Sequence, residues 1–164
     1  MRRWNGWGDE GFNLAMPEQG QDFLASRIGS GRPLADAPLD SVCAKVPETR
    51  LTRPADLESL IDTGPEARVR HARGQSLADW LAMRSGEFGV FPDGVAYPTT
   101  SEEVQTLLSW AAEQHIHLIP YGGGTSVAGH INPVDKGQPV LTVDMSRMNR
   151  LIDLDTDSQI ATFG

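Results

Sequence analysis

The sequence predicts an α/β (α+β) fold, in which a mostly helical N-terminal segment precedes a strand–helix–strand unit that opens into a glycine-rich loop. Three observations predict it. Short apolar runs at Val95–Tyr97, Ile116–Ile119 and Val140–Val143 have the length and branched-residue content of buried strands. Between the first two, Val104, Leu107, Leu108, Ala111 and Ala112 recur at the spacing of one helix face. Directly after the second run comes Pro120-Tyr121-Gly122-Gly123-Gly124-Thr125-Ser126-Val127, whose three glycines favour neither helix nor strand.

In chain order, residues 1 to about 33 are rich in Gly, Trp and polar residues, with little periodicity. Met16–Ile28 reads as one short helix stopped by Gly29-Ser30-Gly31-Arg32-Pro33. Leu34–Val46 and Pro54–Ile61 read as two more, the second begun by Pro54-Ala55-Asp56. Gly64-Pro65 breaks the chain, and a polar connection begins at Val69. Ser76 caps a helix over Leu77–Arg84, where Leu77, Trp80, Leu81 and Arg84 form an apolar stripe with a cationic end. A boundary is expected between Pro65 and Gly89, giving a cap segment over 1–88 and a second domain from 89 to 164. In that second part, Thr100 with Glu103 predicts a capping box for the 104–112 helix, which runs to about Gln114. Leu151–Leu154 and Gln159–Phe163 predict a hairpin turned at Asp155-Thr156-Asp157.

At 164 residues the chain is long enough for a real core. No apolar run approaches the roughly 20 residues that span a bilayer. Met1-Arg2-Arg3-Trp4-Asn5-Gly6 also lacks the apolar core of a signal peptide, so a cytoplasmic location is expected. Cys43 is the only cysteine, which excludes an internal disulfide. The net charge of −8 argues against a nucleic-acid partner. From Ser85 to Gly164 ten acids face only Lys136, Arg147 and Arg150, a net of −7. That half has few side-chain cations to offer an anionic ligand. His115 and His117 have no Cys or acid at metal-ligand spacing, so no metal site is expected.

The glycine loop nevertheless has the character of an anion site. Consecutive glycines let backbone N–H groups approach a ligand closely, and successive amides form a nest for a phosphate or pyrophosphate. Thr125 and Ser126 add hydroxyls. Two common phosphate loops do not fit. After Gly124 and Gly129, His130-Ile131 stands where a P-loop needs Lys and Ser or Thr. The third glycine of a dinucleotide fingerprint is Val127 here, and Gly129, Asn132 and Pro133 prevent the helix that should follow.

The combination of a strand with Pro-x-Gly-Gly-Gly-Thr-Ser-Val, preceded by a helix that opens on Pro98-x-x-x-Glu102-Glu103-Val104, resembles the FAD-binding domain of the vanillyl-alcohol oxidase and p-cresol methylhydroxylase superfamily. The nearest pattern within it is that of the alkyldihydroxyacetonephosphate synthases. Arg3-Trp4-Asn5-Gly6-Trp7-Gly8 is similar to their Trp-Asn-Gly-Trp-Gly segment, and His71-Ala72-Arg73-Gly74-Gln75-Ser76 to their His-x-x-Gly-x-Ser. Leu81-Ala82-Met83-Arg84-Ser85-Gly86, Pro92-Asp93-Gly94-Val95 and Asp144-Met145-Ser146-Arg147-Met148-Asn149-Arg150 extend the similarity along the chain.

The resemblance implies the first, incomplete half of a p-cresol methylhydroxylase-type FAD-binding domain, in a protein several times this length. It implies FAD, with Pro120, Tyr121, Gly122, Gly123, Gly124, Thr125 and Ser126 lining the pyrophosphate. Some members tether flavin through a histidine near this loop; Gly124 stands there here, so the flavin is expected to be non-covalent. The implied activity exchanges the acyl group of acyl-dihydroxyacetone phosphate for a long-chain alcohol. Sister members oxidise 2-hydroxy acids such as lactate or glycolate, and a non-catalytic nucleotide-binding module is the reading of another class. The family's catalytic residues fall beyond Gly164. A small-molecule or lipid substrate, a homodimer and peripheral membrane contact complete the implied picture. Trp4 and Trp7 read either as rings docking the N-terminal segment or as a lid over a lipid channel.

Overall fold

The computed structural model describes residues 2–32 and 34–163. Pro33, the last residue of the predicted helix stop, lies outside the described residues, as do Met1 and Gly164.

Four strands form one sheet in the order β1-β2-β4-β3: β1 (Ile61–Asp62), β2 (Gly94–Ala96), β3 (His117–Tyr121) and β4 (Val140–Asp144). β2 and β3 both run parallel to β4, while β1 is antiparallel to β2. All five residues of β4 are buried, as expected of a central strand with both faces covered. Pro120 sits on β3, at the sheet edge, where a missing amide N–H is tolerated. β5 (Leu151–Asp155) and β6 (Ile160–Phe163) form a separate exposed hairpin at the predicted place.

Five α-helices accompany the strands among the described residues: α1 (Glu18–Ile28), α2 (Leu39–Cys43), α3 (Pro65–Arg70), α4 (Leu77–Ser85) and α5 (Ser101–Glu113). α5 connects β2 to β3 and lays Leu107 and Ala111 on the sheet. Leu107 joins a core of Leu51, Leu57, Ile61, Ala96, Leu141 and Val143. A second core, of Val42, Val69, Ala72, Met83, Phe88 and Phe91, lies among α2, α3 and α4. Trp4 stacks on Phe88 with ring centroids 6.3 Å apart, which docks the N-terminal segment on this core. Trp7 is not docked; its ring is exposed.

Several expectations change. The predicted Pro54–Ile61 helix is a series of turns, and Ile61 turns outward from it into β1, paired with Ala96. Sheet pairing overrides a local helical pattern there. The Leu34–Val46 helix shrinks to Leu39–Cys43, because Pro38 sets its first turn. Residues 65–70 are helical instead of a break, with Pro65 in the first turn, where proline is favoured. The stripe on α4 is split: Leu77, Leu81 and Arg84 are exposed and Trp80 packs on the second core, while Asp79 and Met83 are buried. Asp79 is what turns α4 around.

Candidate functional site

The parallel register places Tyr121 opposite Asp144, so β3 delivers the glycine loop to the carboxyl end of the sheet beside that carboxylate. α/β folds commonly bind ligands at this position. Within the loop the predicted residues divide into two groups. Pro120, Gly122, Gly123 and Thr125 are exposed, and Ser126 is half-buried. Tyr121 and Gly124 are buried. Gly124 has φ of +65°, and a Cβ there would strike the Tyr121 hydroxyl and ring. Only glycine fits.

Gly122 and Gly123 are different. A Cβ on Gly122 would meet no atom within 4 Å, and one on Gly123 would meet only Thr125 Cγ2 at 3.5 Å. Among the described residues, the amides of Gly123 and Thr125 have no acceptor. Gly123 and Thr125 face a cavity of about 380 Å³ whose other wall includes Arg2, Trp7 and Gln75. Bare glycine backbone, open space and unpaired donors together form a cradle for an anionic group. The Ser126 hydroxyl serves the loop itself: Oγ lies 3.0 Å from His130 Nδ1 and accepts from the Gly129 amide at 3.2 Å.

Sequence reasoning missed the support beneath the loop. The Gln75 amide donates to the Ser126 carbonyl at 2.6 Å. A Cβ on Gly74 would strike that same carbonyl, so the two segments touch only because residue 74 is glycine. The Gly74 amide donates to Asn132 Oδ1 at 2.9 Å, and Asn132 Nδ2 donates to Asp79 Oδ1 at 2.7 Å. Asp79 Oδ2 also accepts from the Ser76 amide (3.1 Å) and hydroxyl (2.7 Å), completing the α4 capping box. The His-x-x-Gly-x-Ser segment is therefore the buttress of the loop, with Asp79 as its hub. Its signal in the sequence was Ser76 followed by Asp79 at capping-box spacing.

Replacing Asp79 with alanine leaves Asn132 and Ser76 without their buried acceptor. We expect a loss of about 3 kcal/mol in chemical denaturation. Asp79→Asn, which keeps an acceptor oxygen, is expected to lose less.

His71 is a packing residue. Its Nε2 lies 2.8 Å from Asp144 Oδ2, its Nδ1 2.7 Å from the Ala67 carbonyl, and its ring rests against Tyr121 at 4.5 Å. Burial pulls the Asp144 carboxyl upward, but the hydrogen bonds from His71 and the Ser146 amide outweigh it and hold that group below the usual range. Desolvation, with Asp144 nearby, pushes the Tyr97 hydroxyl up to about 12, so it stays protonated.

Residues 92–164 match the model of a FAD binding domain. FAD is the cofactor the family supports, with non-covalent binding its typical mode. The glycine cradle fits it: the open face over Gly122 and Gly123 has the donors and the clearance that a pyrophosphate requires. The alkyldihydroxyacetonephosphate synthase of Dictyostelium discoideum is 36% identical over 89 residues, covering 54% of this chain and 15% of that protein. A solved alkyldihydroxyacetonephosphate synthase superposes with a TM-score of 0.76 at 23% identity, covering 99% of this chain and 36% of that one. This second likeness shows a shared fold over nearly the whole chain. A mitochondrial D-lactate dehydrogenase (cytochrome) of Arabidopsis thaliana is 38% identical over 60 residues, covering 37% of this chain and 10% of that protein. The chain thus spans about a third or less of each relative's length. No helix among the described residues is long and apolar enough to cross a membrane.

Proposed function

We propose that this chain supplies the FAD-binding part of a flavoenzyme with alkyldihydroxyacetonephosphate synthase activity. The observation that carries the cofactor site is the cradle at Gly122–Gly123, open to solvent and floored by buried Tyr121 and Gly124. In this reading Pro120–Ser126 line the pyrophosphate, with the amides of Gly123 and Thr125 as donors. Gly124 and Tyr121 shape the turn from below, and Gly74, Gln75, Asp79 and Asn132 fix its position. Residues 89–164 are the cofactor domain and residues 1–88 its cap and buttress. When bound, FAD supplies the reactive centre on which acyl group and long-chain alcohol are exchanged, without net redox change. The substrate is a phosphorylated ketone lipid, and the site works in a homodimer in the cytoplasm with peripheral membrane contact. The likeness to alkyldihydroxyacetonephosphate synthases along nearly the whole chain supports this choice.

The match to D-lactate dehydrogenases favours a second reading, oxidation of a 2-hydroxy acid, because both chemistries use the same cofactor loop. The visible spectrum of the full chain before and after acid precipitation tests the shared part. Flavin bands released into the supernatant are expected; a colourless protein that takes up no added FAD would overturn the proposal. Turnover of acyl-dihydroxyacetone phosphate with a long-chain alcohol, against reduction of a dye by D-lactate, then separates the two readings.

A further inference from the structure

The cofactor half of the chain is strongly acidic, yet the space over the glycine loop is not. Residues 2–9 fold back on themselves: Arg2 bridges to Asp9, and the Arg3 amide donates to the Gly8 carbonyl at 2.8 Å. This turn is tied down from several sides. Arg70 Nη1 donates to the Arg2 carbonyl at 2.9 Å, Asn5 Nδ2 donates to Asp36 Oδ2 at 3.0 Å, and Trp4 stacks on Phe88. The Arg2 guanidinium lines the same cavity as Tyr121, beneath the loop, and its charge offsets part of the rise that burial gives the Tyr121 pKa. It also approaches Gly124 closely enough that a Cβ there would lie 2.7 Å from Nη2.

Two adjoining cavities share Arg2 and Gln75, the larger reaching Gly123 and Thr125. Their walls carry four arginines, Arg2, Arg3, Arg70 and Arg73, against two carboxylates, Asp9 and Asp144. Arg70 is engaged by Glu66, and Arg3 by Asn13 and the Phe12 carbonyl. Arg73 holds a buried Nε with no partner among the described residues. Arg2 is the cation that stands at the loop itself.

We propose that the N-terminal turn, residues 2–9, is the cationic wall of the cofactor cleft, with Arg2 binding the pyrophosphate opposite the amides of Gly122–Thr125. This rests on the loop being the pyrophosphate site. A guanidinium suits the task, since its planar donors match phosphate oxygens and it stays charged at any physiological pH. The turn brings to the loop the positive charge that residues 85–164 lack.

The test uses the full chain, stripped of flavin, with two probes: FAD itself and inorganic pyrophosphate as its competitor. Arg2→Ala and Arg2→Gln are expected to weaken FAD about tenfold, on the scale of one charge-assisted hydrogen bond. They are expected to weaken pyrophosphate competition by a similar factor and to flatten the salt dependence of both. Arg2→Lys should recover part of each. Arg2→Gln keeps a long polar side chain beside Tyr121, so it decides the matter if the alanine variant melts early. Wild-type affinity for FAD and pyrophosphate in Arg2→Gln, alongside loss of both in Gly123→Val, would overturn the role of Arg2 and leave the loop standing. Wild-type affinity in Gly123→Val as well would overturn the loop and this inference together.

Discussion

Replacing Gly123 with valine is expected to strip FAD from the full chain while leaving its fold intact. The added Cβ meets only Thr125 Cγ2, at an ordinary 3.5 Å, so nothing in the protein resists it. Its branches instead occupy the open face of the cradle and shield the amides of Gly123 and Thr125 from a ligand. Losing two hydrogen bonds to a charged group weakens binding by about a hundredfold or more. Gly124→Val is the contrasting case. There the substitution forces a branched residue to φ of +65° and into Tyr121, so the expected result is a lower melting temperature before any effect on flavin. Flavin absorbance per polypeptide, measured beside a thermal melt, reads both variants. Unchanged flavin content in Gly123→Val would remove the loop from the binding site.

How much of this was legible in the sequence depends on whether the signal was local. The α5 helix, β3, β4 and the hairpin all appear within two residues of the places their apolar patterns predict. Each carries its own period and punctuation. The capping at Thr100 is present but displaced: its hydroxyl accepts from the Glu103 amide, while the Glu103 carboxylate accepts from Thr99, one residue earlier. What the sequence hides is set by distant partners. Ile61 becomes a strand only because Ala96 offers it a ladder, and α4 exposes Leu77 because Asp79 must reach Asn132, 53 residues away. The same limit applies to the site. Glycines 122–124 were visible as a loop, but not that 122 faces open space and 123 a cavity while 124 packs on a tyrosine. Nor could the sequence show that Arg2 would stand beside them, because that contact joins residues more than a hundred positions apart.

Asp93→Ala is expected to cause a large loss of stability. Asp93 is nearly fully buried at the start of β2 and receives Arg50 Nε at 2.9 Å, Arg50 Nη2 at 2.7 Å, the Arg50 amide at 3.0 Å and the Val140 amide at 2.8 Å. One carboxylate thus ties the segment before β1 to the first residue of the central strand β4. Removing it strands the Val140 donor in the core and leaves Arg50 without its main partner. Breaking a buried pair costs about 3–5 kcal/mol, and the lower end applies because the Arg50 side chain is 40% exposed. Burial alone would raise the Asp93 pKa, but the Arg50 side chain and the Val140 and Arg50 amides more than offset it and hold the group below its usual value. The sign of the pH effect follows. A carboxyl whose pKa is depressed in the folded state stabilises fully above its unfolded value, about 3.9, and that contribution disappears as pH falls through the folded value. Asp93→Asn cannot titrate, so its stability should fall less steeply than wild type on the acid side, from a lower plateau at pH 7. Denaturation free energies of the three proteins between pH 7 and pH 3 check this. Parallel acid limbs for wild type and Asp93→Asn would show that this carboxylate does not carry the acid sensitivity of the fold.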